Sequence, residues 1–190
     1  MTSLKITLLL GSARVGRFSP KVASIVENQL KKRANINVSI LDAAQKKFLL
    51  TLEKPFHHYG TEKPPAELAE VQKGLAESDA VILIAGEYNF SPQPGMLALL
   101  DNFHRETWGG KAAGVVSYGG QQTGGARAES MLRVTLGELG LYVTPASFSI
   151  GGIFQAFDEE GNLKEWATKE KYLDLFLDEV VGLATKLQKK

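Results

Sequence analysis

The stretch Leu4-Lys5-Ile6-Thr7-Leu8-Leu9-Leu10-Gly11-Ser12-Ala13-Arg14-Val15-Gly16-Arg17-Phe18-Ser19 runs from a strand pattern into a turn holding glycines, serines and arginines. Leu4 to Leu10 is apolar and partly β-branched, and from Phe18 onward Val22, Ile25, Val26 and Leu30 recur at helical spacing. The turn therefore joins a strand to a helix. Backbone N–H groups at a helix N-terminus lack intrahelical partners and carry about half a positive charge, so an anion gains hydrogen bonds and field there. Ser12 and Ser19 offer hydroxyls, and Arg14 and Arg17 offer charge-assisted forks. A phosphate is the expected ligand. The spacing fits neither the Walker loop, which requires Gly-Lys-Ser or Gly-Lys-Thr, nor the three-glycine dinucleotide fingerprint.

A chain of 190 residues, 44% hydrophobic and 23% charged, is long enough for one substantial core and short for two. A single domain over residues 1–190 is expected. Lys+Arg 22 against Asp+Glu 21 leaves a net charge of +1, so no long-range field recommends nucleic acid or an anionic membrane as partner. The same balance argues against a strongly acidic electron carrier. The sequence contains no cysteine, which excludes a disulfide framework, a thiolate metal site and a cysteine nucleophile. The N-terminal apolar stretch is short and interrupted by Lys5 and Thr7, unlike a secretory h-region. No apolar run approaches the roughly 20 residues that cross a bilayer. A soluble, cytoplasmic protein is the expectation.

Strand and helix patterns alternate along the chain, as in a parallel sheet with helices on both faces. Strands are expected near Lys5 to Leu10, Asn37 to Leu41, Ala80 to Ala85, Ala112 to Ser117 and Leu141 to Thr144. Helices are expected near Pro20 to Lys32, Glu67 to Ala76, Gly95 to Phe103, Gly125 to Leu139 and Trp166 to Leu187. Ala80-Val81-Ile82-Leu83-Ile84-Ala85 lacks polar alternation, which marks a central strand covered on both faces. The fold class read from this order is α/β: a flavodoxin-like, doubly wound, five-stranded parallel sheet of order 2-1-3-4-5. Ala43 to Pro65, broken by Pro55, Gly60, Pro64 and Pro65, is too long for an idle connection. His57 and His58 within it are a weak metal signal, and no metal is expected.

In such a sheet ligands bind beyond the carboxyl ends of the strands. Three loops fall there: the opening turn; Gly86-Glu87-Tyr88-Asn89-Phe90-Ser91-Pro92-Gln93-Pro94-Gly95; and Ser117-Tyr118-Gly119-Gly120-Gln121-Gln122-Thr123-Gly124-Gly125. Together they offer a phosphate pocket, an aromatic wall and a glycine-rich floor. FMN is the natural candidate. Tyr88 and Phe90 are placed beside a ring, with Asn89 and backbone N–H groups at its pyrimidine edge.

These residues resemble the NAD(P)H-dependent FMN reductase family, which includes quinone, azo-dye and chromate reductases. The resemblance rests on Gly11-Ser12-x-Arg14-x-Gly16, Glu87-Tyr88-Asn89-x-Ser91, Asp101, Ser117-x-Gly119, Gly124-Gly125-Ala126-Arg127 and Ala156-Phe157-Asp158-Glu159-Glu160-Gly161-Asn162-Leu163. It implies that Ser12, Arg14, Arg17, Phe18 and Ser19 hold the FMN phosphate. Glu87, Tyr88, Asn89 and Phe90 would line the isoalloxazine, and Ser117, Tyr118, Gly119 and Gly120 would approach its far edge. The chain departs from the family's usual pattern at Gly86, where proline is common, at Arg17, where serine is common, and over Met96 to Leu100.

The resemblance further implies that NADPH or NADH reduces the flavin, leaves, and is replaced by a small acceptor such as a quinone, azo compound, flavin or metal oxyanion. The flavin carries the electron chemistry, so no acid–base triad is expected. Two other classes stay open: a flavodoxin-like electron-transfer or sensor protein without its own NAD(P)H oxidation, and a flavin-free interaction module. Leu97, Leu99, Leu100 and Phe103 cover more of a helix than one core face needs. With the resemblance, this points to a homodimer or homotetramer.

Overall fold

The computed structural model describes residues 3–164, 167 and 170–188. Its elements run β1 (Leu4–Leu10), α1 (Ser19–Lys31), β2 (Ile36–Asp42), single 3₁₀ turns at Lys47–Leu50 and Phe56–Tyr59, α2 (Ala66–Ala76), β3 (Ala80–Tyr88) and β4 (Ser91–Pro92). They continue with α3 (Pro94–Asp101), α4 (Arg105–Trp108), β5 (Ala112–Tyr118), α5 (Ala126–Glu138), β6 (Tyr142–Val143), β7 (Phe148–Ile150), a 3₁₀ turn at Ile153–Gln155 and α6 (Glu170–Gln188). Trp166, the expected start of the last helix, lies outside the described residues.

The fold is α/β with a largely parallel sheet, but the expected five strands in order 2-1-3-4-5 need correction. Among the described residues the sheet has seven strands, ordered β2-β1-β3-β5-β6, with β4 paired to β3 and β7 paired to β5. Two local causes account for the difference. First, β3 runs on to Tyr88 and turns back, pairing Tyr88 with Ser91 and Glu87 with Pro92 in antiparallel register. Second, the expected strand Leu141 to Thr144 is split. β6 pairs with Ala112 and Ala113 at the start of β5, and β7 pairs with Val116 to Tyr118 at its end. Pro145 stands between them, and proline cannot donate to a ladder.

Alternate residues of the central strands serve two separate cores. Ile6, Leu8, Leu10, Ile82 and Ile84 pack with Val22, Val26 and Leu30 of α1 and with Leu173, Phe176, Leu177 and Val180 of α6. Leu9, Val81, Leu83, Ala113 and Val115 pack with Leu68, Val71 and Leu75 of α2, Met96, Leu99 and Leu100 of α3, Trp108 of α4, and Leu132 and Leu136 of α5. Each buried Leu or Ile adds roughly 1.5–3 kcal/mol, so neither face of the sheet tolerates water.

The wide apolar face of α3 is explained within the chain, which corrects the argument that it marks a second buried surface. Leu49 and the partly buried Phe48, Leu50 and Phe56 close over Met96, Leu99, Leu100 and Phe103. The irregular segment 43–65 is held there by Asn102, 4% exposed, whose side-chain amide donates to the carbonyls of Ala98 at 2.7 Å and of Leu49 and Thr51 at 3.3 Å. Its own carbonyl accepts from Phe56 N–H at 2.8 Å. At the outer end of this segment the His57 ring lies 4.4 Å from that of His58 and 4.7 Å from that of His104 between centroids. Among the described residues no group of three or more His, Asp or Glu is arranged to hold a metal ion, and no helix is long and apolar enough to cross a membrane.

Asn102→Ala removes the amide donor from the Leu49 and Thr51 carbonyls and is expected to lower stability by about 1–3 kcal/mol in urea unfolding; an unchanged midpoint would show that the segment is held by packing alone. Partial burial, then the neighbouring His58 and His104, lower the His57 pKa. The unfolded chain therefore binds the proton more readily, and stability is lost as pH falls through the ordinary histidine range. Between pH 7.5 and 5.5, His57→Asn is expected to lose less thermal stability than the parent, with the difference shrinking in 0.5 M salt.

Candidate functional site

Parallel pairing brings the carboxyl ends of β1, β2, β3 and β5 to one edge of the sheet. Leu10 sits beside Asp42 in the β1–β2 register, and Gly86 beside Tyr118 in the β3–β5 register. The loops that follow these strands line two adjoining cavities. One, of about 210 Å³, is lined by Arg14 to Phe18, Glu87, Tyr88, Tyr118, Gly119, Gly120, Ile153 and Phe154. The other, of about 550 Å³, is lined by Glu87, Asn89, Phe90, Gly119, Gly120, Gln121 and Phe154.

In the first cavity the α1 N-terminus has no side-chain cap. Ser19, the first residue of the helix, is fully buried, and its hydroxyl moderates the upward pull of burial on the Tyr118 phenol, so it packs beneath the cavity. The uncapped N–H groups of the first turn are left for an anion. Arg14 lies over the Tyr88 ring, 3.7 Å from its centroid. Ser12 is fully buried with its hydroxyl 2.6 Å from that of Tyr88, so the loop before α1 and the loop after β3 share a hydrogen bond. Phe18 packs its ring edge-on against Phe154 at 5.7 Å and stacks on Phe157 at 6.0 Å.

Arg17 lines the same cavity, but its guanidinium is engaged elsewhere. It forms a fork on Asp42, Nη1 to Oδ1 at 2.6 Å and Nη2 to Oδ2 at 2.5 Å, and donates to the Ser12 carbonyl at 2.8 Å. The Asp42 hydrogen bond raises the Arg17 pKa. Arg17 thus holds the loop rather than facing an incoming anion, a role different from the one the sequence implied. Asp42 was missed, although an acid ending the strand next to β1 was visible in the sequence.

Tyr118 also takes a different place. A Cβ built at Gly86 would lie 2.8 Å from Tyr118 Cζ, so the tyrosine ring occupies the space a side chain would need. Its phenol is reached by Gln93 Nε2 at 3.4 Å, and burial pushes its pKa up to about 12. It remains a neutral hydroxyl in the floor of the first cavity. Gln93 is buried, and its Oε1 has no partner.

Around the second cavity, Asn89 and Phe90 have φ of 50° and 62°, as a two-residue hairpin turn of the primed type requires. Phe90 is stacked under Arg127, 4.0 Å from the guanidinium carbon. Glu87 reaches both cavities, but its carboxylate caps α5, accepting from Arg127 N–H at 3.1 Å, Ala128 N–H at 3.4 Å and Arg127 Nη1 at 3.1 Å. Ser117 is buried and donates to the Gly124 carbonyl at 2.7 Å, with the Ser149 hydroxyl at 2.8 Å. It anchors the glycine loop whose Gly119 and Gly120 line the cavities. Ile153 and Phe154 escaped sequence reasoning because they follow the unforeseen β7.

The sequence pattern of the NADPH-dependent FMN reductases matches residues 4–155. The chain belongs to this family. An NAD(P)H-dependent FMN reductase of Saccharomyces cerevisiae is 26% identical over 167 residues, 79% of each chain. An NADPH:quinone oxidoreductase of Arabidopsis thaliana is 34% identical over 119 residues, 60% of each chain. Among solved structures, the flavoenzyme NAD(P)H:(acceptor) oxidoreductase FerB of Paracoccus denitrificans superposes with a TM-score of 0.74 at 20% identity, over 96% of this chain and 98% of that one. At that identity the superposition speaks for the fold. Family membership makes the chain an oxidoreductase that uses FMN and NAD(P)H.

The site fits FMN on its own terms. The uncapped α1 and the Arg14 guanidinium in the smaller cavity suit a phosphate, and the larger cavity has aromatic and glycine walls. The Arg17–Asp42 pair is testable by unfolding. Asp42→Ala leaves Arg17 uncompensated and is expected to cost about 3 kcal/mol, whereas the double change Arg17→Leu/Asp42→Leu recovers at least half. Additive losses in urea melts would show that the two side chains do not act as a pair.

Proposed function

We propose that the chain is one FMN-binding domain that uses NAD(P)H to reduce small flat acceptors, with its residues divided between the two cavities. The observation that carries this reading is the uncapped start of α1 behind a cavity lined by Arg14 and Phe18 and adjoining an aromatic-walled one. When bound, FMN supplies the electron chemistry, accepting reducing equivalents from NAD(P)H and passing them on.

The protein holds and orients. Ser19, Arg14 and the first N–H groups of α1 bind the phosphate, with Arg17 and Asp42 fixing the loop that carries them. Phe18, packed on Phe154 and Phe157, closes the helix side. Tyr88, tied to Ser12, stands between phosphate and ring. Asn89, Phe90, Gly119 and Gly120 line the ring cavity. Backbone N–H groups there favour negative charge developing on a bound ring. Glu87 and Ser117 act at one remove, by fixing α5 and the glycine loop.

Quinones, azo compounds, free flavins and metal oxyanions are the acceptor classes we assign. A homodimer or homotetramer is supported by Met131 and Val134 of α5 and Tyr142 of β6, large apolar residues left in solvent. A cytoplasmic setting suits a chain without cysteine.

Purified protein is expected to turn yellow with FMN and to bleach under anaerobic NADPH. An FMN-binding protein that NADPH does not bleach would be an electron carrier instead. Arg14→Ala is expected to weaken FMN binding by roughly 1.5–3 kcal/mol, the range for a hydrogen bond to a charged group. Riboflavin, which lacks the phosphate, should bind both forms alike. Flavin fluorescence titrations separate the cases, and equal losses for both flavins would place Arg14 in folding.

A further inference from the structure

Large apolar side chains cluster unburied around the two cavities: Val15 is fully exposed, Phe90 is 53% exposed and Phe154 is 71% exposed. Single exposed hydrophobics need no explanation, but a group rimming one cleft marks a surface completed by a ligand. Phe90 and Phe154 both line the 550 Å³ cavity.

Both rings are held in place, Phe90 at a cost. Phe90 sits at φ 62°, a conformation that bulky side chains avoid and that costs about 1–3 kcal/mol. Arg127, itself fixed to Glu87 at 3.1 Å, covers one face of its ring. Phe154 rides on the 3₁₀ turn Ile153–Gln155, which follows Gly152 at φ 57°. That turn is bolted to the glycine loop by Gly152 N–H on the Gln121 carbonyl at 3.2 Å and Ile153 N–H on the Gly119 carbonyl at 3.0 Å. The Phe154 ring leans over Gly120, where a Cβ would come within 2.7 Å of Cε2.

We infer that Phe154, together with Phe90, forms the recognition surface for a flat, uncharged, fused-ring electron acceptor of the quinone class, and that Phe154 sets the preference for such acceptors over compact anionic oxidants. The inference rests on the FMN-reductase reading and deepens it. Aromatic faces gain from stacking on another flat ring, whereas an inorganic anion gains nothing from a phenyl surface. Phe154 lines both cavities and Phe90 the larger one, so two aromatic rings from different loops border the same cleft.

The test uses FMN-loaded protein, with 1,4-naphthoquinone and ferricyanide as probes. Naphthoquinone is titrated calorimetrically onto the oxidised protein without NADPH, which reads binding apart from turnover. Phe154→Ala is expected to weaken naphthoquinone binding roughly threefold to tenfold, more than it weakens FMN binding, and Phe154→Tyr to stay within twofold of the parent. In turnover with NADPH, the ratio of kcat/KM for naphthoquinone to that for ferricyanide should fall at least threefold in the alanine form. Unchanged naphthoquinone binding, or an equal or larger loss of FMN affinity, would overturn the assignment, the latter placing Phe154 in the flavin pocket. A parent protein that takes up no FMN would overturn the reading beneath it before any substitution is made.

Discussion

Burial of the sheet on both faces is the constraint from which the rest of the molecule follows. Parallel neighbours cannot be joined by a tight turn, so each connection must cross over one face and return. The two cores, α1 with α6 on one side and α2 to α5 on the other, are those crossovers packed down. Because every parallel strand then points the same way, the loops after β1, β2, β3 and β5 open at one edge. The site is a product of that shared direction, and no single loop could build it.

What the sequence made legible divides along the same line. Continuous apolar runs such as Ala80 to Ala85 announce a buried strand, and the glycine, serine and arginine turn after Leu10 announces the strand-to-helix junction that lines the first cavity. Contacts between segments distant in the chain were less visible. The hairpin at Asn89 and Phe90 extends β3 by residues too polar to read as strand, and its positive φ values suit asparagine but not phenylalanine. The register that sets Asp42 beside Leu10 follows from strand order, so Arg17 could have been matched to an acid by anyone who carried the topology one step further. The packing of residues 47–50 onto α3 could not, because nothing local in that segment specifies which face it covers.

Charge is distributed around the site by pairing rather than by accumulation. Asp42 holds Arg17, Glu87 holds Arg127, and Arg14 rests on the Tyr88 ring. Two of these cations therefore serve geometry: one orders the loop before α1, the other backs Phe90 and anchors α5. An ion pair with as little exposure as Arg17–Asp42 is a poor source of net stability but a good source of a unique arrangement when each partner is also hydrogen-bonded. Here that uniqueness is placed in the loop that lines the first cavity.

Gly86 and Tyr118 face each other across neighbouring strands, the ring of one filling the room that the other leaves empty. Any side chain at 86 would collide with the tyrosine, and a smaller residue at 118 would open a hole above the glycine. The two positions are therefore coupled, since neither can be changed alone without a clash or a cavity. A paired exchange would keep the packing yet remove a neutral hydroxyl from the floor of the first cavity.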